Sequence, residues 1–227
     1  MPPLLLRLVA GTALLVTLTA QAYDFGPWPE GRSPGEIGRR VTANFMPRPH
    51  MMLGTDPVIH YAEVCTWYGA LVFADLEKDT ALQAQLAQRF EPLLGADRNL
   101  IPTPQHVDWT VFGSVPLEIY RQNGDIRCLA LGEWMALRQW GEPYGSRIEP
   151  RAREHQAAGR SWQTRLWIDD MFMITMVQAQ AYRATGNQVY IDRAAKEMVY
   201  YLEQLQRPNG LFYHTPEVPF YWARGNG

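Results

Sequence analysis

Residues 167–183 read WIDDMFMITMVQAQAYR, a segment that is apolar nearly all round a helix. Such a helix is buried on most of its sides. Gly186-Asn187 breaks it, and the next helix has apolar residues at spacings of three or four, with charged residues between them. The apolar positions are Ile191, Ala195, Met198, Leu202 and Leu205, and the positions expected to face solvent are Asp192, Arg193, Lys196, Glu197 and Glu203. Pro208-Asn209-Gly210 ends this pair of one buried and one surface helix.

The same pair occurs earlier in the chain. The turn at residues 120–125 (YRQNGD) resembles the turn at residues 182–187 (YRATGN), at an offset of 62 residues. The earlier copy has a buried helix at residues 108–121 and a surface helix at 126–140, and a weaker copy occupies residues 58–94 with its turn near Lys78-Asp79. Little of the sequence favours strands. Repetition at this period predicts stacked helical hairpins that share one core.

Alternation of buried and half-buried helices favours an all-α toroid with an inner and an outer ring of helices. The alternative is a linear solenoid of helix pairs, which does not require one helix of each pair to be apolar all round. With a leading helix near residues 36–45, the hairpins are too few to close a double ring. We therefore expect a toroid that is incomplete at its C-terminus, with the final residues 224–227 in a loop.

Residues 1–22 have the pattern of a secretory signal peptide. Arg7 precedes a mostly apolar run at residues 8–18, and Ala20-Gln21-Ala22 fits the small-x-small cleavage pattern. A membrane anchor is the alternative, although the apolar run is short for one. We expect a secreted or periplasmic protein, with an extended lead-in rich in Pro and Gly at residues 23–36 and one domain at residues 37–227.

Composition excludes several classes of function. The net charge is −2 and there is no run of Lys or Arg, so nucleic-acid binding has no support. The five His residues are scattered singly and no Gly-rich phosphate loop occurs, so we expect no metal and no cofactor. Cys65 and Cys128 each fall in a predicted helix, where we interpret them as small buried hydrophobes; the sequence leaves open whether they pair.

Two aspartates begin predicted inner helices. Asp108 lies in QHVDW (residues 105–109), and Asp169 lies in the segment quoted first. Because inner helices of a ring begin at the same end, both carboxylates are expected at one opening, where a close pair favours a protonated acid. The repeat aligns Asp108 with Asp170 rather than with Asp169. Helix capping is the alternative role for such residues.

The last segment, GLFYHTPEVPFYWARGNG (residues 210–227), adds three candidates for ligand binding. Arg224 could hold a carboxylate through a bidentate contact, and His214 could donate a hydrogen bond or act as an acid or base. Trp222 belongs to a surplus of Trp and Tyr, 8 and 11 residues, that suits either core packing or stacking on sugar rings.

These motifs resemble those of glycoside hydrolase family 105, the unsaturated rhamnogalacturonyl hydrolases, and of the related family 88 unsaturated glucuronyl hydrolases. The resemblance covers roughly residues 37–227 and depends on three motifs in this order: His106-x-Asp108, Trp167-x-Asp169-x-x-Phe-Met173 and Trp222-x-Arg224-Gly-Asn226. It implies an (α/α)6 barrel, with Asp169 as general acid/base and Asp108 as its partner carboxylate. It places Trp167, His214, Arg224, Trp222 and His106 around the substrate.

The resemblance also implies the reaction. The enzyme would remove a 4,5-unsaturated uronic acid from the non-reducing end of pectin or rhamnogalacturonan-type oligosaccharides by hydrating its enol ether, without a cofactor. Two alternatives stay open: an ordinary glycosidase or epimerase on the same ring, and a non-catalytic carbohydrate-binding or scaffold fragment. The sugar next to the uronate and the oligomeric state are not determined by the sequence.

Overall fold

The computed structural model describes residues 26–53, 56–146 and 148–226, without the side chains of residues 53, 56 and 224. The predicted signal peptide lies outside these residues. Within them the α-helices are α1 (Pro34–Phe45), α2 (Tyr61–Leu76), α3 (Thr80–Phe90), α4 (Val107–Thr110), α5 (Ser114–Asn123), α6 (Ile126–Arg138), α7 (Ala152–Ala157), α8 (Ile168–Thr185), α9 (Gln188–Leu205) and α10 (Ala223–Asn226). Short 3-10 helices occur at Glu91–Leu94, Arg98–Leu100 and Val111–Gly113. In this part of the chain, no helix combines the length and apolar character needed to cross a membrane.

The helices form two rows. The inner row contains α2, α5 and α8 side by side, and α3, α6 and α9 each pack on the inner helix that precedes them. Inner helices bury residues on most sides, as Trp67 and Leu71 of α2 and Ile174 and Val177 of α8 show. The all-α toroid class predicted from the alternation of buried and surface helices is therefore confirmed.

The two similar turns predicted from the sequence have the same geometry. Gly124 and Gly186 end α5 and α8 in the left-handed conformation, with φ of 78° and 72°. Each glycine N–H donates to a tyrosine carbonyl four residues earlier, at 2.7 Å in both turns. Asp125 and Asn187 then cap the next helix with their side chains. A residue with a Cβ is disfavoured at positive φ, so glycine fixes both turns.

A polar network joins the three inner helices. Glu118 of α5 is buried and accepts hydrogen bonds from Arg121 at 2.6 Å and from Gln180 of α8 at 3.1 Å. Gln180 also bonds the Tyr68 hydroxyl of α2 at 2.5 Å. Glu118 and Gln180 occupy equivalent positions of the sequence repeat. A buried carboxylate that has several donors is tolerated and fixes which helices lie together.

The predicted helix at residues 108–121 is divided into α4, the 3-10 turn Val111–Gly113 and α5. Pro116 explains the interruption, because it has no N–H to donate to the Phe112 carbonyl and its ring crowds that carbonyl. The chain tightens into a 3-10 turn just before the proline. This break keeps α4 as a separate turn at the start of the inner helix.

The buried face of α9 differs from the predicted one. It contains Tyr190, Ala194, Glu197, Tyr201 and Leu205, so most of the predicted stripe is displaced by one position. The Tyr190 hydroxyl donates to Glu133 of α6 at 2.9 Å, which ties this face inward. Met198, predicted to be buried, is exposed and borders an apolar groove beside α8. Glu197, predicted to face solvent, is completely buried.

Three smaller predictions also differ from the structure. Helix α1 begins at Pro34, inside the predicted lead-in, because Ser33 and Glu36 form a reciprocal capping box. Residues 224–226, which belong to the predicted terminal loop at 224–227, lie in the short helix α10 (Ala223–Asn226). A two-stranded antiparallel sheet, β1 (Met52–Leu53) and β2 (Asp56–Ile59), lies in a region where strands were not predicted.

Both cysteines lie in helices and carry free thiols. Cys128 is fully buried, as predicted, and burial raises the pKa of its thiol to about 12. Cys65 is only half-buried, since it lies on the side of α2 next to α1.

Close packing of α5 on α6 depends on glycine. A Cβ at Gly132 would overlap the side chain of Leu117, so Gly132→Ala should lower the free energy of unfolding by about 1–3 kcal/mol. Gly69→Ala on α2 is the matched control, because a Cβ there meets nothing within 4 Å. The control should raise the free energy of unfolding by about 0.5–1 kcal/mol. Urea unfolding followed by circular dichroism measures both, and equal shifts would contradict this account of the packing.

Candidate active site

Arg165 lies between two acidic helix starts and binds both of them. Its Nε and Nη2 donate to the two carboxylate oxygens of Asp170 at 2.7 and 2.8 Å. The same Nη2 donates to Asp108 Oδ1 at 2.9 Å. The side chains of Arg165 and Asp108 are 13% and 19% exposed and that of Asp170 is 0% exposed, so the pairs are shielded from water. One guanidinium thus joins α4 to α8.

Local sequence brings the acids to this position. Asp108 and Asp170 lie in the first turns of α4 and α8, where the helix dipole favours negative charge. His106 caps α4 through Nδ1, which accepts the Asp108 N–H at 3.2 Å, and its Nε2 lies 3.4 Å from Arg165 Nη1. We call the surface formed by residues 106–108, 165–170 and 212–226 the mouth.

Burial and charge act in opposite directions on the pKa values of Asp170 and Arg165. Burial raises the pKa of Asp170 to about 7, although the hydrogen bonds and charge of Arg165 act to lower it. Burial alone would lower the pKa of Arg165, but Asp170, Asp108 and Asp169 raise it above its usual value. Because both oxygens of Asp170 accept hydrogen bonds from Arg165, the geometry favours the ionised form of Asp170. The guanidinium therefore stays charged at the centre of three acids.

Asp169 differs from its neighbour. It is only half-buried, and its Oδ1 is shielded from solvent with no hydrogen-bond partner among the residues that the structure describes. Its charge contributes to the raised pKa of Arg165, so the carboxylate lies near the same guanidinium as Asp108 and Asp170. The sequence repeat pairs Asp108 with Asp170, and these two share Arg165. Asp169 is the acid left available at the mouth.

Aromatic rings form the wall next to Asp169. The Arg165 guanidinium lies 4.3 Å from the centroid of the Trp167 ring. Trp167 contacts His214 at a ring separation of 5.3 Å, and His214 stacks on Trp222 at 4.3 Å with an interplanar angle of 21°. Trp167 and Trp222 are 41% and 45% exposed, so each keeps a surface for a ligand. The His214 carbonyl accepts the Ile168 N–H at 2.9 Å, which attaches this wall to α8.

Asn226 holds the last segment in place. Its side chain accepts the Phe212 N–H at 2.6 Å and donates to the carbonyls of Phe212 and Trp222 at 2.9 and 3.0 Å. Gly225 lies against Ile168, where a Cβ would overlap the Ile168 side chain. The Trp-x-Arg-Gly-Asn motif therefore fixes Trp222 above His214. The side chain of Arg224, the remaining predicted site residue, lies outside the described part of the structure.

The structure brings six predicted residues to the mouth: Asp108, Asp169, His106, Trp167, His214 and Trp222. Sequence reasoning missed Arg165, and it considered Asp170 only for its place in the repeat. A signal for Arg165 was present, because a lone arginine two residues before Trp167 and close to two acids is a natural ion-pair partner. No described group of three or more His, Cys, Asp or Glu is arranged to hold a metal ion.

Residues 37–227 match the sequence profile of Glycosyl Hydrolase Family 88. This range includes every residue of the mouth and more than four-fifths of the chain. No curated protein and no solved structure gives a match. The chain therefore carries a glycoside hydrolase domain, and its substrate is a carbohydrate.

Arg165→Met should destabilise the fold because it leaves Asp170 buried without its cation. The expected loss in the free energy of unfolding is about 3–5 kcal/mol at pH 8, where Asp170 is ionised. The loss should shrink as the pH falls below 7 and Asp170 becomes protonated. Urea unfolding at pH 8 and pH 5.5 measures the effect.

Two further variants serve as controls for Arg165→Met. Arg165→Met/Asp170→Asn should recover part of the loss, because the buried site is then neutral. Arg127→Met removes an exposed arginine that also pairs with two acids, Asp125 and Glu91, and should cause little change. A loss in Arg165→Met no greater than in Arg127→Met would contradict the role assigned to the buried pair.

Proposed function

The chain belongs to glycosyl hydrolase family 88, and we propose that it removes a 4,5-unsaturated uronic acid from the non-reducing end of pectin or rhamnogalacturonan-type oligosaccharides. The observation that carries the proposal is the contrast between the two adjacent acids of α8. Asp170 is fully engaged by Arg165, whereas Asp169 has an unpartnered oxygen beside an aromatic wall. A single available carboxyl group suits a reaction in which one residue is acid and then base.

The reaction adds water across the enol ether of the unsaturated ring. Asp169 donates a proton to C4, and the positive charge that develops at C5 is shared with the ring oxygen. The ionised Asp169 then takes a proton from water as the water oxygen bonds to C5. The resulting hemiketal opens, and the hemiacetal at C1 releases the neighbouring sugar. One water is consumed, and Asp169 ends in its starting protonation state.

The neighbouring groups prepare Asp169 for this role. Asp108 and Asp170 are both held by Arg165, so neither accepts the proton that Asp169 carries without losing an ion pair. Negative charge on Asp108 and Asp170 also stabilises the cation that develops at C5. Because C1 is not attacked, the separation of the carboxylates does not decide between retention and inversion as it does in ordinary glycosidases.

Recognition of the sugar is divided between apolar and charged groups. The exposed faces of Trp167 and Trp222 suit the C–H faces of a pyranose ring. We assign to His214, whose ring contacts both tryptophans, a hydrogen bond to a hydroxyl of the sugar. We assign the uronate carboxylate to Arg224 on the basis of the family resemblance, since a guanidinium binds a carboxylate in a bidentate manner. We also propose that residues 1–22 direct export, which would bring the enzyme to the products of secreted lyases.

Asp169→Asn should abolish turnover, because the amide can neither donate the proton to C4 nor accept one from water. The loss expected from removing a general acid/base is about 10²- to 10⁴-fold in kcat. The assay follows the fall in ultraviolet absorbance of the enol ether with two substrates, lyase-digested rhamnogalacturonan and an unsaturated glucuronyl disaccharide. The faster substrate identifies the sugar preferred next to the uronate.

Asp192→Asn is the matched control for Asp169→Asn. Asp192 is an exposed carboxylate near the start of α9 that accepts a hydrogen bond from Gln188 at 2.9 Å. The Asp192→Asn enzyme should turn over both substrates at the wild-type rate. Wild-type activity in Asp169→Asn would remove Asp169 from the mechanism, and cleavage of a saturated uronide at a comparable rate would favour an ordinary glycosidase.

Turnover in D₂O distinguishes hydration at C5 from attack at C1. Since Asp169 delivers the proton to one face of C4, the product should carry one deuterium at C4 in a single configuration. Attack at C1 would release an unsaturated sugar that is protonated later in solution, which gives both configurations. Proton NMR of the product, recorded early in the reaction, separates the two outcomes.

A further inference from the structure

The segment that precedes α8 is attached to the outer helix α9 by one buried carboxyl group, Glu197. Glu197 Oε2 accepts the Ser161 N–H at 3.1 Å, and Oε1 forms a hydrogen bond with the Thr164 hydroxyl. We propose that Glu197 is a positioning residue that works as a neutral carboxylic acid and holds residues 161–165, which carry Arg165 to the mouth. The activity test of this proposal rests on the proposed function, whereas its structural test does not.

The two groups that bond the carboxyl group of Glu197 are both neutral. The Thr164 hydroxyl lies within bonding distance of the Ser161 carbonyl at 2.8 Å and of Glu197 Oε1. The Ser161 carbonyl also accepts the Thr164 N–H at 3.3 Å, so either form of Glu197 can bond the Thr164 hydroxyl. In the protonated form, Oε1–H donates to Thr164 and Oε2 accepts the Ser161 N–H. Charge then decides between the two forms, because only the protonated form leaves no buried charge.

The surroundings of Glu197 favour the neutral acid. Glu197 is 0% exposed, and in the described residues no Lys, Arg or His lies within ion-pair distance of its carboxyl group. Burial raises the pKa of Glu197, against the hydrogen bonds from Thr164 and Ser161 and the charges of Arg160 and Lys196.

Of the two cations that act on Glu197, Lys196 is exposed and Arg160 is engaged elsewhere. The Arg160 guanidinium lies 3.9 Å from the ring centroid of Tyr200 and donates to His155 of α7 at 3.3 Å. The other titratable group next to Glu197 is Tyr201, one turn along α9, whose burial raises its pKa well above the usual value. None of these groups neutralises an ionised Glu197 by direct contact, so ionisation would leave a buried charge without a partner.

Movement of this segment would be transmitted to Arg165. Ser161 Oγ donates to the Gln139 carbonyl at 2.9 Å, and Gln163 Nε2 donates to the Pro104 carbonyl at 3.0 Å, close to Asp108. Thr164 is bonded covalently to Arg165. Leu166 follows with φ of 60°, an unfavourable conformation for a residue with a branched side chain, which persists only when its surroundings hold it. Glu197 supplies part of that constraint.

Variants at Glu197 separate a neutral acid from an ionised one. Glu197→Gln keeps both contacts, because its amide N–H donates to Thr164 and its amide oxygen accepts from Ser161, so kcat should stay within twofold of the wild type. Glu197→Ala removes both contacts and should lower kcat about 10- to 10²-fold by displacing Arg165. Wild-type activity should decline as the pH rises through the raised pKa of Glu197, and Glu197→Gln should lose that part of the decline.

The pH dependence of stability also distinguishes a neutral Glu197 from an ionised one, and it needs no substrate. A raised folded-state pKa means that the folded protein binds more protons than the unfolded chain, so wild-type stability falls as pH rises from about 4.5 through the folded pKa. This fall should be smaller in Glu197→Gln. Hydrogen exchange at the Ser161 amide should be as slow in Glu197→Gln as in the wild type and faster in Glu197→Ala.

The outcomes distinguish this proposal from the proposed function. If Glu197→Gln shows the fast exchange at the Ser161 amide and the low kcat expected of Glu197→Ala, an ionised carboxylate is required and the proposal is wrong. If the wild type does not process unsaturated uronides but the Ser161 exchange pattern holds, the proposed function fails and the anchoring role of Glu197 stands. Asp169→Asn should lose activity with unchanged exchange at Ser161, which shows that exchange reports the anchor and not the chemistry.

Discussion

The mouth of this toroid depends on one largely shielded cation, Arg165, placed between the beginnings of two helices. Asp108 and Asp170 lie in first turns whose dipoles favour negative charge, but two carboxylates held near each other without water repel. Arg165 offsets that repulsion by binding both acids. The cation therefore fixes the distance between α4 and α8, and with it the position of every group attached to them.

Repetition explains why the acids meet, and the departure from repetition explains why one of them is available. Asp108 and Asp170 are equivalent in the hairpin repeat and share a cation, just as Glu118 and Gln180 are equivalent and share a hydrogen bond further along the inner helices. Asp169 has no counterpart in this pairing. A repeated scaffold supplies the symmetrical contacts that hold the inner helices, and the residue that breaks the symmetry supplies a group with unused bonding capacity.

Features with a local cause could be predicted from the sequence. The glycine turns at Gly124 and Gly186 and the all-α class follow from backbone preference and periodicity. The nearness of Arg165 to Asp170 could have suggested an ion pair, but its second partner, Asp108, is 57 residues distant, so no local pattern indicates that Arg165 joins two helices. Glu197 was misplaced because the predicted apolar stripe of α9 was displaced by one position and a charged side chain is usually exposed. Only the Ser161 and Thr164 contacts reveal why burial is tolerated there.

The charges of the mouth bear on how an anionic sugar can bind. Three carboxylates and one guanidinium leave an excess of negative charge, and a uronate adds to it, so binding is unfavourable unless a cation or a proton compensates. Arg165 cannot turn toward the sugar, because leaving Asp170 would strand a buried charge. Under the proposed function, a second cation would then meet the uronate carboxylate. The ion pairs that hold the scaffold engage Asp108 and Asp170 but not Asp169, so structural and chemical roles would be divided between two adjacent residues of α8.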